Sequence, residues 1–249
     1  FLSAYSGKNA ENISLNAITD NPLPNWSINY SGLINIDFFK ERFKKFSLGH
    51  AYRSSYTLNN FKSNLEYNPS NTQLTDDSGN YINEFLYTNI NLVEQFNPLL
   101  KIDMELNNSL QIVMSLKKDR ALSLSLDNNL LTESNGTDYS IGLGYRIKDL
   151  KFTNRVGGKR RVSKGDLNIK TDLNFRDNIT IIRNLNIEDN KVTAGQKMWS
   201  LKTSADYNLS KSFNAIFFYD HLFSKFAIST AFPMTTIRAG MTLRYNFGE

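Results

Sequence analysis

The 249-residue sequence has no cysteine and only two histidines, His50 and His221. Without thiols there is no disulfide framework, no thiolate metal site and no cysteine nucleophile. Two histidines so far apart in the chain leave little material for a histidine metal centre or a His-centred triad. Proline is held to 5 residues and glycine to 13, which excludes a collagen-like repeat and a Pro-rich linker. No apolar run approaches the length of a membrane-crossing helix. The opening Phe1-Leu2-Ser3-Ala4-Tyr5 lacks a methionine and any charged-then-apolar leader pattern, so the chain is expected to be a mature product or an interior piece of something longer. Apolar residues make up 40%, below the usual share, yet there are 17 Phe and 12 Tyr. The formal charge of +5 is mild, so its meaning lies in where the charges sit.

What the sequence does have is alternation with period two. Leu100, Ile102, Met104 and Leu106 alternate with Lys101, Asp103, Glu105 and Asn107; after Asn107-Asn108 come Leu110, Ile112, Met114 and Leu116 opposite Gln111, Ser115 and Lys117. Lys118-Asp119 reads as the next turn, and Leu122, Leu124 and Leu126 continue. Tyr139–Ile147, Leu167–Phe175, Ile179–Ile187 (after a turn at Asp177-Asn178), Trp199–Leu209, Phe213–Tyr219 and Ile237–Phe247 repeat the pattern. With earlier strands near Trp26–Ser31, Phe46–Leu58, Phe61–Tyr67 and Tyr87–Phe96, the sequence reads as about 13 strands. One segment breaks the rule. Leu33, Ile36, Phe39 and Phe43 are at helical spacing among Lys40, Glu41, Lys44 and Lys45, so 33–45 reads as a short amphipathic, interfacial helix. The segments 68–80, 128–137, 148–166 and 188–195 read as longer loops.

The polar faces are polar along whole strands, many strands have the 9–11 residues that cross a bilayer when tilted, and aromatics crowd strand ends. These features point to an all-β fold: a transmembrane antiparallel β-barrel, with residues 1–249 forming an arc of about 12–14 strands of a larger barrel. Tyr139, Tyr145, Trp199, Tyr207, Phe213, Tyr219, Tyr245 and Phe247 are the expected membrane girdle; Lys101, Asp103, Gln111, Lys170 and Asp172 are expected to face a wet lumen. The alternating last strand, with Tyr245 and Phe247 near its end, resembles the final strand of outer-membrane barrels and is expected to be a true C-terminus.

Two blocks carry a family resemblance: Pro24-Asn25-Trp26-Ser27-Ile28-Asn29-Tyr30-Ser31-Gly32-Leu33, then Phe38-Phe39-Lys40 with Phe46-Ser47-Leu48-Gly49-His50-Ala51-Tyr52-Arg53-Ser54-Ser55-Tyr56. Together with Glu94-Gln95-Phe96-Asn97-Pro98-Leu99-Leu100 and Thr236-Ile237-Arg238-Ala239-Gly240-Met241-Thr242-Leu243-Arg244-Tyr245, the sequence resembles the C-terminal region of the SprA/Sov family. These are outer-membrane translocon proteins of the Bacteroidetes type IX secretion system. The resemblance implies a giant single-chain barrel in the cell outer membrane that exports folded cargo and serves gliding motility in some species. The partners it implies are the rest of the giant barrel polypeptide, a shuttle barrel at a lateral opening, a periplasmic plug protein and cargo with a C-terminal sorting domain. Outer-membrane lipid or lipopolysaccharide would surround it. The chain lacks most of that family's length.

Sharper local readings fare less well. His50 lies on a strand face and reads as a packed or girdle histidine. His221 beside Asp220, with Ser224 near, has no Gly-x-Ser-x-Gly motif, and no enzyme is expected. Gly157-Gly158-Lys159 lacks the rest of a phosphate loop, and Gly142-x-Gly144 sits within a strand, so no cofactor is expected. Asp76-Asp77-Ser78-Gly79-Asn80 lacks the terminal Glu of a calcium loop, and no metal is expected. The basic run Lys148–Lys164 has no aromatic platform for nucleic acid and reads as a loop contacting acidic lipid phosphates or a periplasmic partner. The competing function is a self-contained porin-like or ligand-uptake barrel.

Overall fold

The structure is a computed structural model. It describes residues 24–247 except 78, 157–158, 188, 209–212, 229–231 and 246, and among these the side chains of all but 152–163. The chain forms one antiparallel sheet in which every strand pairs with its sequence neighbours: β1 (Trp26–Tyr30), β2 (Phe43–Ser63), β3 (Phe85–Leu106), β4 (Leu110–Ser125), β5 (Leu130–Val156), β6 (Lys159–Asn184), β7 (Asp189–Asn208), β8 (Phe213–Phe226) and β9 (Met234–Tyr245). The sole α-helix among the described residues is α1 (Asp37–Lys40), one turn preceded by a 3-10 turn at Gly32–Asn35. Phe43 already begins β2, because its side belongs with Phe46, and Phe39 packs on both at 5.9 and 4.8 Å. No described helix is long and apolar enough to cross a membrane.

The strand count corrects the sequence reading: among the described residues, eight long strands and the short β1 stand where about 13 shorter ones are expected. The pairs Lys118-Asp119 and Asp177-Asn178 are not turns. Lys118 lies between Phe96 and Thr137, and Asp119 between Gln95 and Gly136. Asp177 and Asn178 are bracketed in the same way by β5 and β7. Neighbours on both sides fix the backbone in extended form, which overrides local turn preference. The expected loop at 128–137 is mostly strand for the same reason, whereas those at 148–166 and 188–195 are strand paired on one side only, β5 with β6 out to Val156 and Lys159, and 189–195 with β6. Of the four expected loops, 68–80 is the one left outside the named strands, as turns with a single bridge between Thr75 and Tyr81.

The sheet has almost no interior. Its buried apolar side chains are Tyr52, Leu92, Leu122, Leu124, Tyr207 and Ala215. The chain exposes 17930 Å², where a compact body of its mass would expose about 11,000 Å². Both faces are therefore open, and the ladder of backbone hydrogen bonds is the main thing joining the strands.

Gly165 lies where β7 ends beside the β5–β6 extension. A Cβ on Gly165 would clash with the Asn208 carbonyl oxygen. Nearby, the Tyr207 hydroxyl donates to the Leu150 carbonyl at 3.1 Å. Gly165→Ala must therefore push β7 off β6, and we expect a loss of about 1–3 kcal/mol, by analogy with overpacked cores. Thermal unfolding followed by the far-UV β-sheet signal checks it; an unchanged midpoint would mean that this contact does not constrain the sheet.

Candidate functional site

Register assigns every described strand residue to one of two faces, since directly paired residues share a side and successive residues alternate. On one face an apolar band crosses the sheet. It contains Ile28, Leu48, Ile102, Met114, Ile141, Leu143, Leu173, Leu201, Phe217, Ile237, Met241 and Leu243. Leu48, Ile102, Met114 and Leu201 are half-buried and the other eight are exposed, Leu143 at 41% and Ile237 at 57%. A band of this extent far exceeds the apolar patches of ordinary soluble surfaces.

Aromatic rows bound the band. At its upper edge, the end from which the 64–84 segment leaves, Tyr139, Phe175, Trp199 and Phe223 stand in one register row. Phe96, Tyr52 and Trp26 continue it one pair step higher, with ring centroids 4.9 and 4.5 Å apart. The lower edge carries Tyr145, Tyr207, Phe213 and Tyr245, with Phe213 and Tyr245 paired at 6.3 Å, while Tyr30 and Phe46 fall in the register rows of Ile141 and Leu143. Of the girdle residues read from sequence, Tyr139, Tyr145, Trp199, Tyr207, Phe213 and Tyr245 lie in these rows. Tyr219 is on the same face but mid-band, opposite Thr203 and Ala239. Phe247 lies past β9, its ring 4.6 Å from Tyr245.

The opposite face carries the polar residues of most strands, among them Lys101, Asp103, Gln111, Lys170 and Asp172, but on β8 it also carries Ile216, Phe218, Leu222 and Phe226. Charges on it are arranged by sign. Asp172, Lys202, Asp220 and Arg238 form one register row across β6–β9, positive and negative in turn, with Arg238 bonded to Asp220 at 3.0 Å. Lys45 pairs with Asp103 at 2.8 Å. Asn178 Oδ1, Asp206 Oδ1, Asn214 Oδ1 and Ser224 Oγ are sheltered without a protein hydrogen-bond partner, and all four belong to this face. Sheltered polar atoms need partners, and on this face water could supply them.

Above the upper aromatic row, the apolar face turns polar and holds a cluster that sequence reasoning missed. Glu133, only 12% exposed, accepts from Arg183 at 2.8 Å and from Arg120 at 3.2 Å. Glu94 accepts from the Tyr52 hydroxyl at 2.7 Å. Glu133 falls on a segment that reads as a loop and Arg120 directly follows one that reads as a turn, so alternation gave no reason to place them on one face with Arg183. The Arg183 hydrogen bond, opposed in part by desolvation, holds the Glu133 carboxyl below its ordinary range. A lowered folded-state value means stability that is full above the ordinary carboxylate range and lost as pH falls through the folded value. Amide exchange at Leu131–Asn135 and Ile181–Arg183 is therefore expected to accelerate below about pH 4.3, and Glu133→Gln should flatten that dependence. Equal acid sensitivity in both proteins would mean that Glu133 is not the responsible group.

The candidate chemical residues are not brought together. His221 is on the apolar face, 4.6 Å from Trp199, whereas Ser224 is on the polar face, so this pair does not converge. His50 Nδ1 lies 2.6 Å from the Leu99 carbonyl, with its ring near Trp26 and Phe96. Asp76 accepts from the Asn80 backbone N–H at 2.8 Å, closing its own loop. Among the described residues, no cluster of metal-ligating side chains occurs. Gly142 is opposite Asp172, whose carboxylate would lie 3.0 Å from an added Cβ. Of the basic run, Lys148, Lys151 and Lys164 are exposed at the lower end; the side chains of 152–163 and residues 157–158 lie outside the described residues.

No protein-family model matches the chain, and no curated protein matches it significantly.

Proposed function

We propose that the chain is part of the wall of a large outer-membrane β-barrel, its apolar face against lipid and its polar face lining an aqueous pore. The observation that carries this reading is the pairing of an exposed, aromatic-edged apolar band with a face of sign-matched charges on the same strands. In β5 to β8 the band occupies 7 to 11 residues per strand, from Tyr139–Tyr145 to Phe213–Phe223, which suits tilted membrane strands of about 9–11 residues. Short turns at 107–109 and a long segment at 64–84 leave opposite ends, as periplasmic turns and external loops do. The Glu133 cluster then lies beyond the band, outside the bilayer.

The sheet supports an arc rather than a complete cylinder. β1 and β9 are the two edges and run in the same direction, so they cannot pair antiparallel with each other. Lipid offers no partner to an exposed edge, and other strands must cover both. The resemblance to the SprA/Sov family supplies the rest of the reading: a type IX translocon that passes folded cargo through a wide pore, with the plug, shuttle barrel and cargo as its partners. In that role the charged and amide side chains of this face keep water in the path.

The absence of cysteine provides the test. Single cysteines at Leu167, Ile169, Leu173 and Phe175 should react with an acyl-chain-borne probe, and those at Asn168, Lys170, Asp172 and Asn174 with a water-soluble maleimide, in membranes holding the native assembly. Equal labelling of both sets by the soluble reagent would sink the membrane reading. Leu143→Arg should cost about 2–4 kcal/mol on the lipid side, read as loss of assembled protein, while Lys170→Gln on the other face should be nearly silent. The denatured mass of the native polypeptide separates the two functions. A species far above 28.5 kDa, with further barrel peptides, supports the translocon; one near that mass, shifting on boiling, supports the small porin.

A further inference from the structure

Two lysines stand directly opposite each other on the apolar face, immediately above the aromatic row. Lys197 of β7 pairs in register with Lys225 of β8, one pair step beyond Trp199 and Phe223. Lys118 occupies the same register row further along the sheet, beside Thr137 and Asp177. Like charges directly opposed weaken a ladder unless an anion lies between them. Asp177 answers one lysine, binding Lys197 at 3.2 Å. Lys225 and Lys118 have no ion pair or hydrogen bond among the described residues, and both are exposed.

We propose that Lys197, Lys225 and Lys118 form a binding rail for the phosphate groups of a phosphorylated lipid in the outward leaflet. The inference rests on the membrane reading and sharpens it to a headgroup chemistry. The lipid is favoured over a free phosphate by position. The lysines share a face with the apolar band, so an anion held there with its acyl chains below would cover Trp199, Phe223 and Phe175 in the same act. The length of a lysine stem suits this arrangement, since two residues beyond the ring row place the ammonium at headgroup height while the methylenes stay on the apolar side. At the band's opposite end the aromatics Tyr207 and Phe213 sit beside Ala215 and Tyr245, and the opposed lysines of that end, Lys151 and Lys164, lie on the polar face, so among the described side chains the apolar face has no such pair there. The binding is therefore expected on one leaflet.

The test uses the native assembly purified from its own membrane, with the phosphorylated glycolipid of that membrane and its enzymatically dephosphorylated form as probes. Native mass spectrometry, or displacement of a fluorescent analogue, should show preference for the phosphorylated form and a loss of about fivefold for each lysine changed in Lys225→Gln and Lys118→Gln. Lys197→Gln serves as a second site, and the acyl-chain labelling of a cysteine at Leu173 is recorded in every variant. Weaker lipid binding with unchanged labelling supports the rail. Unchanged affinity, equal binding of both lipid forms, or displacement by inorganic phosphate at comparable concentration overturns it and leaves the membrane reading standing. Absence of acyl-chain labelling in the unmodified protein overturns both.

Discussion

The strand-to-strand hydrogen-bond ladder is the constraint on which everything else in this molecule depends. Burial cannot replace it, because only a handful of apolar side chains are withdrawn from solvent and the sheet has no second layer to pack against. A layer with one apolar face is ordinarily stabilised by hiding that face in a core. Here the apolar residues are spread over the full width of nine strands, with nothing of the chain's described part above them. The ladder fixes the geometry, and the medium on the apolar side must provide the stabilisation that a core would provide elsewhere.

The two faces are made by the same residues' backbone yet demand opposite surroundings. On the polar side the charges alternate in sign from strand to strand, as in the row from Asp172 to Arg238. Exposed pairs of this kind contribute only tenths of a kcal/mol each. Their value is in avoiding the repulsion that four like charges in a row would bring, and in leaving a surface that is densely polar but nearly neutral locally. On the apolar side, charge is kept out of the band and gathered above it.

Face assignment was legible in the sequence because it needs only parity. Leu100 through Leu106 and Lys101 through Glu105 fall on opposite sides whatever the sheet's extent, and the expected lumen residues follow. Parity could also have separated His221 from Ser224, which are three positions apart on one strand. Strand length was not legible. Lys118-Asp119 and Asp177-Asn178 have the composition of turns, and nothing local says that both neighbours will be strands at that level. The Glu133 cluster was hidden for the same reason. Arg120, Glu133 and Arg183 come from three strands, and only the register of β4 with β5 and of β5 with β6 places them together.

The shared direction of β1 and β9 has an arithmetical consequence. A fully antiparallel ring must contain an even number of strands, and this sheet has nine. Closing it into such a ring would take an odd number of further strands, so the closing segment would enter on one side of the ring and leave on the other. A simple hairpin, with both ends on one side, could never serve. Any attempt to rebuild the assembly from separate pieces inherits that rule, because a piece with two strands or four leaves one parallel seam.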